Sequence, residues 1–392
     1  MKKFKKEALS AHVDRFVPGG QGIATLENGK KAFVWGALPE EDIKFETTKS
    51  KSSYCEGIIT KILKASPERI APKDPCFLST SPWQILNYDF ELKSKQELVA
   101  ECFRQQHLDI KVLPTATDGQ EYFYRNKMEY ALYFNHDDEL IHLAFHKRGS
   151  HGKIPISQSS IERPELFARA QEIINELNAK HEEARKYQSL LLRCNQKGEV
   201  SGDLFENGKP HPIMQNLSDE LLGRKYSYSP NGFFQINLPV YEMVLKEIAK
   251  TMDDSPLLDL YAGVGSIGLS VAKEGQKLTL VEVNGAAVEE MKNNAAGRPN
   301  TECILAKSED VTEYITPDCI VILDPPRAGC DKKLIDKLLE VQPKKIIYLS
   351  CNPITQARDV AMLAAVYNCS AAQPYNFFPH TPHIENLIAL EK

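Results

Sequence analysis

The feature that most constrains this chain is an alternation of short apolar runs with helix-forming segments from residue 257 onward. The runs are LLDLY (257–261), LTLVEV (278–283), ECILA (302–306), CIVILDPP (319–326) and KKIIYLSC (344–351). Helical stretches near 266–273, 285–296, 331–341 and 354–366 fall among them. A β-α-β-α order of this kind requires a doubly wound, mostly parallel sheet, so the fold class is α/β.

Upstream the texture differs. Residues 10–63 hold β-type runs (SAHVDRFV, IATLENGKKAFVW, IKFETTKSKSSYCEGIITKIL) split by PGGQG and GALPEED, which predicts a small antiparallel barrel. Asn28-Gly29 would supply both positive-φ positions of a type I′ turn. Prolines at 67, 72, 75 and 82 make the stretch 65–82 a linker. Apolar Leu92, Leu98, Val99 and Phe103 predict a helical stretch over 83–115. Strand-rich pieces follow, with a second amphipathic helix over 168–187. The expected domains are a β-barrel at 1–65, a central α+β domain at 75–225, and the doubly wound domain at 226–392.

Composition narrows the class further. With 42% apolar and 26% charged residues, the chain of 392 is ordinary globular protein, neither collagen-like nor disordered. No apolar run approaches the about 20 residues of a membrane span. The basic start, MKKFKKEALSAHVDRF, lacks the apolar stretch of a signal peptide, so a cytoplasmic protein with no membrane partner is expected. Net charge is −5, yet residues 1–70 carry 13 Lys/Arg against 9 Asp/Glu, as a nucleic-acid-touching module would. Nine scattered cysteines show no CxxC and no zinc spacing, so neither a disulfide framework nor a metal site is expected.

Gly263-Val264-Gly265-Ser266-Ile267-Gly268 fits GxGxxG between a strand and a helix, and Glu282 ends the next strand. Glycines admit a ligand to the backbone, and a carboxylate so placed can bind ribose hydroxyls. The pattern alone suits NAD or S-adenosylmethionine. Asp259 ahead of the loop and Asp324-Pro325-Pro326-Arg327 after the fourth strand favour the methyl donor. Cys351 ends the fifth strand, where ligands bind in such sheets. Any one of nine cysteines is more often inert core; the helix start that follows singles this one out, because a helix N-terminus lowers a thiol's pKa. Glu385 is a solvated strand residue or, given His383 nearby, a general base in a polar cleft.

With these residues in place, the chain from about 226 to its end resembles the RNA 5-methyluridine methyltransferases. The matching pieces are SPNGFFQIN (229–237), LLDLYAGVGSIGL (257–269), LVEVN (280–284), LDPPRAG (323–329), YLSCNP (348–353) and FFPHTPHIEN (377–386). GGQGIA…GALPEE is similar to the TRAM RNA-binding barrel, and YRNKMEYAL (124–132) to the family's central domain. The resemblance implies a Rossmann-like class I methyltransferase domain that uses S-adenosylmethionine on RNA. It further implies Cys351 as the nucleophile adding to uracil C6 and Glu385 as the base that removes the C5 proton. Gln235, Tyr261, Glu282 and Asp324 would line the cofactor site beside Gly263 and Gly265, with Glu282 on the ribose. The uracil must leave its stack to react.

One departure from the family stands out. Many members hold an iron–sulfur cluster on four cysteines; here only Cys76 lies in the corresponding stretch, and Ser159 and Ser160 stand where the fourth ligand is expected. No cluster is expected. The rival readings are a Rossmann oxidoreductase, a methyltransferase of exocyclic amines, and an inactive RNA-binding assembly factor. A monomer acting on 23S ribosomal RNA is expected, with transfer RNA as the alternative.

Overall fold

The computed structural model of the chain describes residues 6–180, 185–213 and 216–392. β1 (Ala8–Phe16), β2 (Gly22–Thr25), β3 (Lys31–Trp35), β4 (Asp42–Ser50) and β5 (Tyr54–Lys64) close into a barrel ordered β1-β2-β3-β5-β4. Its interior is filled by small and medium side chains, among them Val13, Ala24, Val34 and Phe45. The barrel is not wholly antiparallel: β3 and β5 run side by side in the same direction. The β2–β3 hairpin forms, but its turn is not type I′. Gly29 N–H donates to the Leu26 carbonyl at 2.8 Å, and Leu26 N–H to that of Lys30 at 2.9 Å. Of the turn residues only Gly29 has positive φ, at 79°. One left-handed glycine after a type I turn closes a three-residue hairpin, and Asn28 stays right-handed.

Residues 65–82 are pinned rather than free. They include α1 (Phe77–Thr80), and Ser66, Asp74, Cys76 and Ser81 are buried. Around Cys76 the stretch is held by hydrogen bonds: Asp74 Oδ2 accepts from Gln84 Nε2 and Ser160 Oγ, each at 2.8 Å. Ser159 Oγ donates to Glu162 at 2.9 Å. Among the described residues no group of three or more His, Cys, Asp or Glu is placed to hold a metal ion.

α2 (Tyr88–Gln105) begins after Asn87, whose side chain accepts the Asp89 and Phe90 amides. The sequence placed this helix in the central domain. In the structure its Leu98, Val99, Cys102 and Phe103 pack into the core under the C-terminal sheet. The central sheet, ordered β11-β10-β9-β6-β7-β8, comprises β6 (Lys127–Asn135), β7 (Leu140–His146), β8 (Lys153–Pro155), β9 (Ser189–Cys194), β10 (Val200–Glu206) and β11 (Lys209–Pro212). α3 (Pro164–Asn178) lies on it, and Leu166, Ala170, Ile173 and Leu177 face the sheet. It starts earlier than the predicted 168, because Pro164 at its first position is pre-set for helix. The predicted extension to 187 crosses 181–184, which lie outside the described residues.

A two-stranded hairpin, β12 (Leu217–Leu221) with β13 (Arg224–Tyr228), precedes α4 (Leu238–Lys250). Leu217, Leu221, Tyr226 and Tyr228 share a core with α4 and the C-terminal sheet, so that unit gathers chain from before 226. The C-terminal unit then runs β14 (Leu257–Leu260), α5 (Ser266–Val271), β15 (Leu278–Glu282), α6 (Gly285–Ala295), β16 (Thr301–Leu305) and β17 (Ile320–Leu323). It continues with α7 (Lys332–Val341), β18 (Lys345–Ser350), α8 (Pro353–Leu363), β19 (Asn368–Tyr375) and β20 (Glu385–Glu391). The sheet order is β16-β15-β14-β17-β18-β20-β19. Strands β14 to β18 are parallel; β14, β15, β17 and β18 are buried on both faces and mostly apolar, while the edge strand β16 is half-exposed.

The direction of winding reverses between β14 and β17, and ligands of such sheets bind outside the carboxyl strand ends at that point. β20 runs antiparallel to β18, with Ser350 opposite Asn386. The first residue of β20 therefore lies at the same edge as the last residues of the parallel strands. No described helix is long and apolar enough to cross a membrane.

Candidate active site

A cleft of about 1450 Å³ opens at that edge. Small-molecule sites usually run about 300–1,000 Å³, so this one holds a nucleoside-sized molecule with room for a base beside it. Gln235, Tyr261, Gly263, Glu282, Asp324, Cys351 and Glu385 all line it.

The β14–β15 side has the features of a nucleoside cradle. Glu282 Oε2 accepts the Gly263 N–H at 3.0 Å and Oε1 the Asn284 N–H at 2.8 Å. The carboxylate thus ties the glycine loop down and keeps lone pairs for hydroxyls of a ligand. A Cβ on Gly263 would meet nothing within 4 Å, so the loop presents bare backbone to the cleft. Tyr261 enters the loop at φ 65°, a strained conformation for a non-glycine residue. Opposite lies the 229–237 segment, strapped to the central sheet. Asn126 Nδ2 donates to the Gln235 carbonyl at 3.2 Å, and the buried Arg193 guanidinium to that of Phe234 at 3.0 Å.

Two predicted loop residues do other work. Gly265 does not line the cleft; it caps α5 in the left-handed region, and a Cβ there would come within 2.9 Å of Leu269. Asp259 lies behind the loop, fully buried, with Oδ2 accepting the Gly268 N–H at 2.8 Å. That amide is one of the free donors of the first turn of α5. Burial pushes the Asp259 carboxyl up to about 8.

The β17–β18–β20 side carries Asp324, Cys351 and Glu385. Asp324 follows β17 and Cys351 follows β18, just before Asn352 caps α8 by accepting the Ile354 N–H. Glu385 opens β20 and is 5% exposed. No described residue hydrogen-bonds to the Asp324 or Glu385 carboxyl, and both face the cleft. Burial pushes Asp324 up to about 7. It drives Glu385 far above the usual carboxylate range, with Asp324 adding to the rise and Arg327 opposing it.

The thiol departs from the sequence expectation. Burial, then Glu385 and Asp324, push Cys351 up to about 11, against the pull of Arg327. Desolvation and two carboxylates outweigh the N-terminus of α8, so the thiol of the free protein is protonated at neutral pH. Arg327 opposes the rise at both Cys351 and Glu385, a role that its place in the Pro-Pro-Arg run signals only weakly. Its carbonyl is anchored by Asn352 Nδ2 at 2.8 Å. Phe378 and His383 complete this wall.

Alkylation of Cys351 by iodoacetamide in the cofactor-free protein should accordingly rise toward a midpoint of about 11. Asp324→Asn removes one negative neighbour of the thiolate, so the midpoint should move down and alkylation at mildly alkaline pH should quicken. Peptide-resolved mass spectrometry reads this directly. A wild-type midpoint near the ordinary thiol value of about 8.5 would contradict the burial argument.

Comparison with known proteins bears on the same residues. The profile of the tRNA (uracil-5-)-methyltransferase family matches residues 306–392, which hold Asp324, Cys351 and Glu385. A methyltransferase small domain profile matches 241–345. An uncharacterized RNA methyltransferase of Bacillus cereus is 30% identical over 442 aligned positions, covering 96% of this chain and 95% of its own. The chain belongs to the RNA uracil-C5 methyltransferase family. Another RNA methyltransferase, from Lactiplantibacillus plantarum, is 29% identical and covers 99% of this chain and 98% of its own. The fold also matches the tRNA (uracil-54, C5)-methyltransferase of Pyrococcus abyssi, solved with S-adenosyl-L-homocysteine. That match has a TM-score of 0.76 at 22% identity over 97% of this chain and 100% of the other. The enzyme is thus an S-adenosylmethionine-dependent methyltransferase, and the oxidoreductase reading falls away. The bare Gly263 backbone and the Glu282 acceptor suit the nucleoside part of that donor.

Proposed function

We propose that this methyltransferase converts uridine in RNA to 5-methyluridine through a covalent bond between Cys351 and uracil C6. The observation that carries the reading is the meeting of Cys351 and Glu385 in one cleft, brought about by β20 lying antiparallel beside β18. Uracil C5 is too weak a nucleophile to take a methyl group unaided. Cys351 first loses its proton to solvent; addition of the thiolate to C6 then places the ring electrons on C5 as an enolate, which can accept the methyl. S-adenosylmethionine supplies that methyl on a sulfonium, held by Gln235, Tyr261, Gly263, Glu282 and Asp324. Glu385 then takes the C5 proton, the C5–C6 double bond returns, and the sulfur leaves. A carboxyl whose pKa burial has raised is a stronger base once ionised. The uracil enters unstacked from its strand.

Tritium release from RNA labelled at uracil C5, on adding S-adenosylmethionine, tests this chemistry. Methylation of an exocyclic amine releases none, and an inactive assembly factor releases none. A ribosomal target was expected from the N-terminal barrel, read as TRAM-like. The Pyrococcus abyssi enzyme matches 97% of this chain, barrel included, and is by name a transfer RNA methyltransferase. The barrel therefore does not by itself select ribosomal RNA. Mapping 5-methyluridine in both RNA classes from a deletion strain assigns the target. Loss from 23S RNA supports the ribosomal expectation, and loss from transfer RNA overturns it.

A further inference from the structure

The loop that brings Phe378, His383 and Glu385 to the cleft is held from behind by residues outside the C-terminal sheet. Four consecutive carbonyls are each held from elsewhere in the chain. Asn237 Nδ2 donates to Phe377 O at 3.2 Å and Lys95 Nζ to Phe378 O at 3.1 Å. Tyr124 OH donates to Pro379 O at 3.1 Å and Trp83 N–H to His380 O at 2.9 Å. Trp83 in turn donates its indole N–H to Gly20 O of the barrel at 3.0 Å and packs on Phe16 at 4.8 Å between ring centroids.

At the centre of this clasp is an ion pair with no solvent exposure at either partner. Glu91 Oε1 lies 2.8 Å from Lys95 Nζ, one turn apart on α2. Both Glu91 oxygens accept the His380 N–H at 3.0 Å, and Oε1 also accepts from Asn376 Nδ2 at 3.3 Å. Lys95 Nζ completes the ring by donating to Asn376 Oδ1 at 2.5 Å. Burying two charges is costly, and a pair of apolar residues of similar size usually serves stability as well or better. Stability alone therefore does not account for the pair. Its contacts run to Asn376, Phe378 and His380, which together fix the course of the loop into β20.

We propose that Glu91 and Lys95 are positioning residues that set where the loop places Glu385 relative to the base bonded to Cys351. The proposal rests on the reading of Glu385 as proton acceptor. A displacement of about 1 Å at a reacting group can cost on the order of 100-fold in rate. The pair touches neither the cleft nor the thiol, so its loss should slow proton removal and spare the steps before it.

The test compares two RNAs that differ at C5. On RNA containing 5-fluorouracil, addition and methyl transfer proceed but fluorine cannot leave as a cation, so the adduct stops before the Glu385 step. The double variant Glu91→Leu/Lys95→Met keeps volume and removes both charges together. It should retain near wild-type adduct formation on the 5-fluorouracil RNA. Turnover on uracil RNA should fall about 10- to 100-fold, the scale of a displaced catalytic group, with methylated adduct accumulating. Glu91→Gln, which preserves size and an acceptor oxygen, should show the same split to a smaller degree. It serves as the second variant should the double one not fold. Unchanged turnover in either folded variant, or a parallel loss on both RNAs, would overturn the proposal. Absence of adduct in the wild type would instead overturn the Cys351 chemistry, and is seen before any variant is made.

Discussion

Cys351→Ala is expected to abolish methyl transfer, by at least about 10,000-fold, as removal of a covalent nucleophile does elsewhere. Binding of S-adenosylhomocysteine should be unchanged. The separation follows from the layout of the cleft. The nucleoside side is built from β14, β15 and the 229–237 segment, while the thiol stands after β18, next to Asp324 and Glu385. On the proposed mechanism, truncating the thiol takes away the group that makes C5 nucleophilic and leaves the cradle at Gly263 and Glu282 intact. It also removes a group that burial opposes in its charged form, so the fold should not suffer. Calorimetric binding and a methylation assay on the same preparation read the two effects. Methyl transfer by the alanine variant at anything near the wild-type rate would rule out covalent catalysis by this residue.

Glu385→Gln should trap the reaction at a later point. The amide keeps the shape of the side chain but cannot accept the C5 proton. The Cys351–uracil bond should form, C5 should take its methyl, and the adduct should fail to resolve. A denaturation-resistant protein–RNA species is therefore expected, dependent on S-adenosylmethionine and carrying the transferred methyl. Turnover should fall by about 100- to 10,000-fold, the usual scale of a general base. The double variant Cys351→Ala/Glu385→Gln should show no such species. One electrostatic consequence runs with this: Glu385 holds the Cys351 thiol up, so the glutamine variant should form its adduct at a lower pH than the wild type. If the adduct is absent while RNA binding is intact, Glu385 is not the proton acceptor.

Much of the site was readable from local pattern. The apolar runs at 257–261, 319–326 and 344–351 dictate buried parallel strands, because only such strands cover both faces. Each strand end then carries its own chemistry a few residues on: the glycine loop, Asp324 with its prolines, and Cys351 before a helix start. These are short-range facts, settled by side-chain period and by what glycine and proline allow. Other features depend on contacts between distant parts of the chain. Antiparallel pairing of β20 with β18 brings Glu385 to Cys351, and nothing in either local sequence announces it. The thiol was expected to be acidified by the helix that follows it, yet burial and two carboxylates from other strands hold it near 11. Helix α2 looked like part of the central domain, but its apolar face found the C-terminal sheet. Its Glu91 and Lys95 stand four residues apart on the helix, and the loop at 376–380, distant in sequence, closes over them. Sequence by itself determined the strands, the loops and which residues stand at the strand ends, because those are fixed by neighbours along the chain. Tertiary structure alone decided which groups share the cleft and what charge they carry there, because burial and field are set by residues that meet only when the chain has folded.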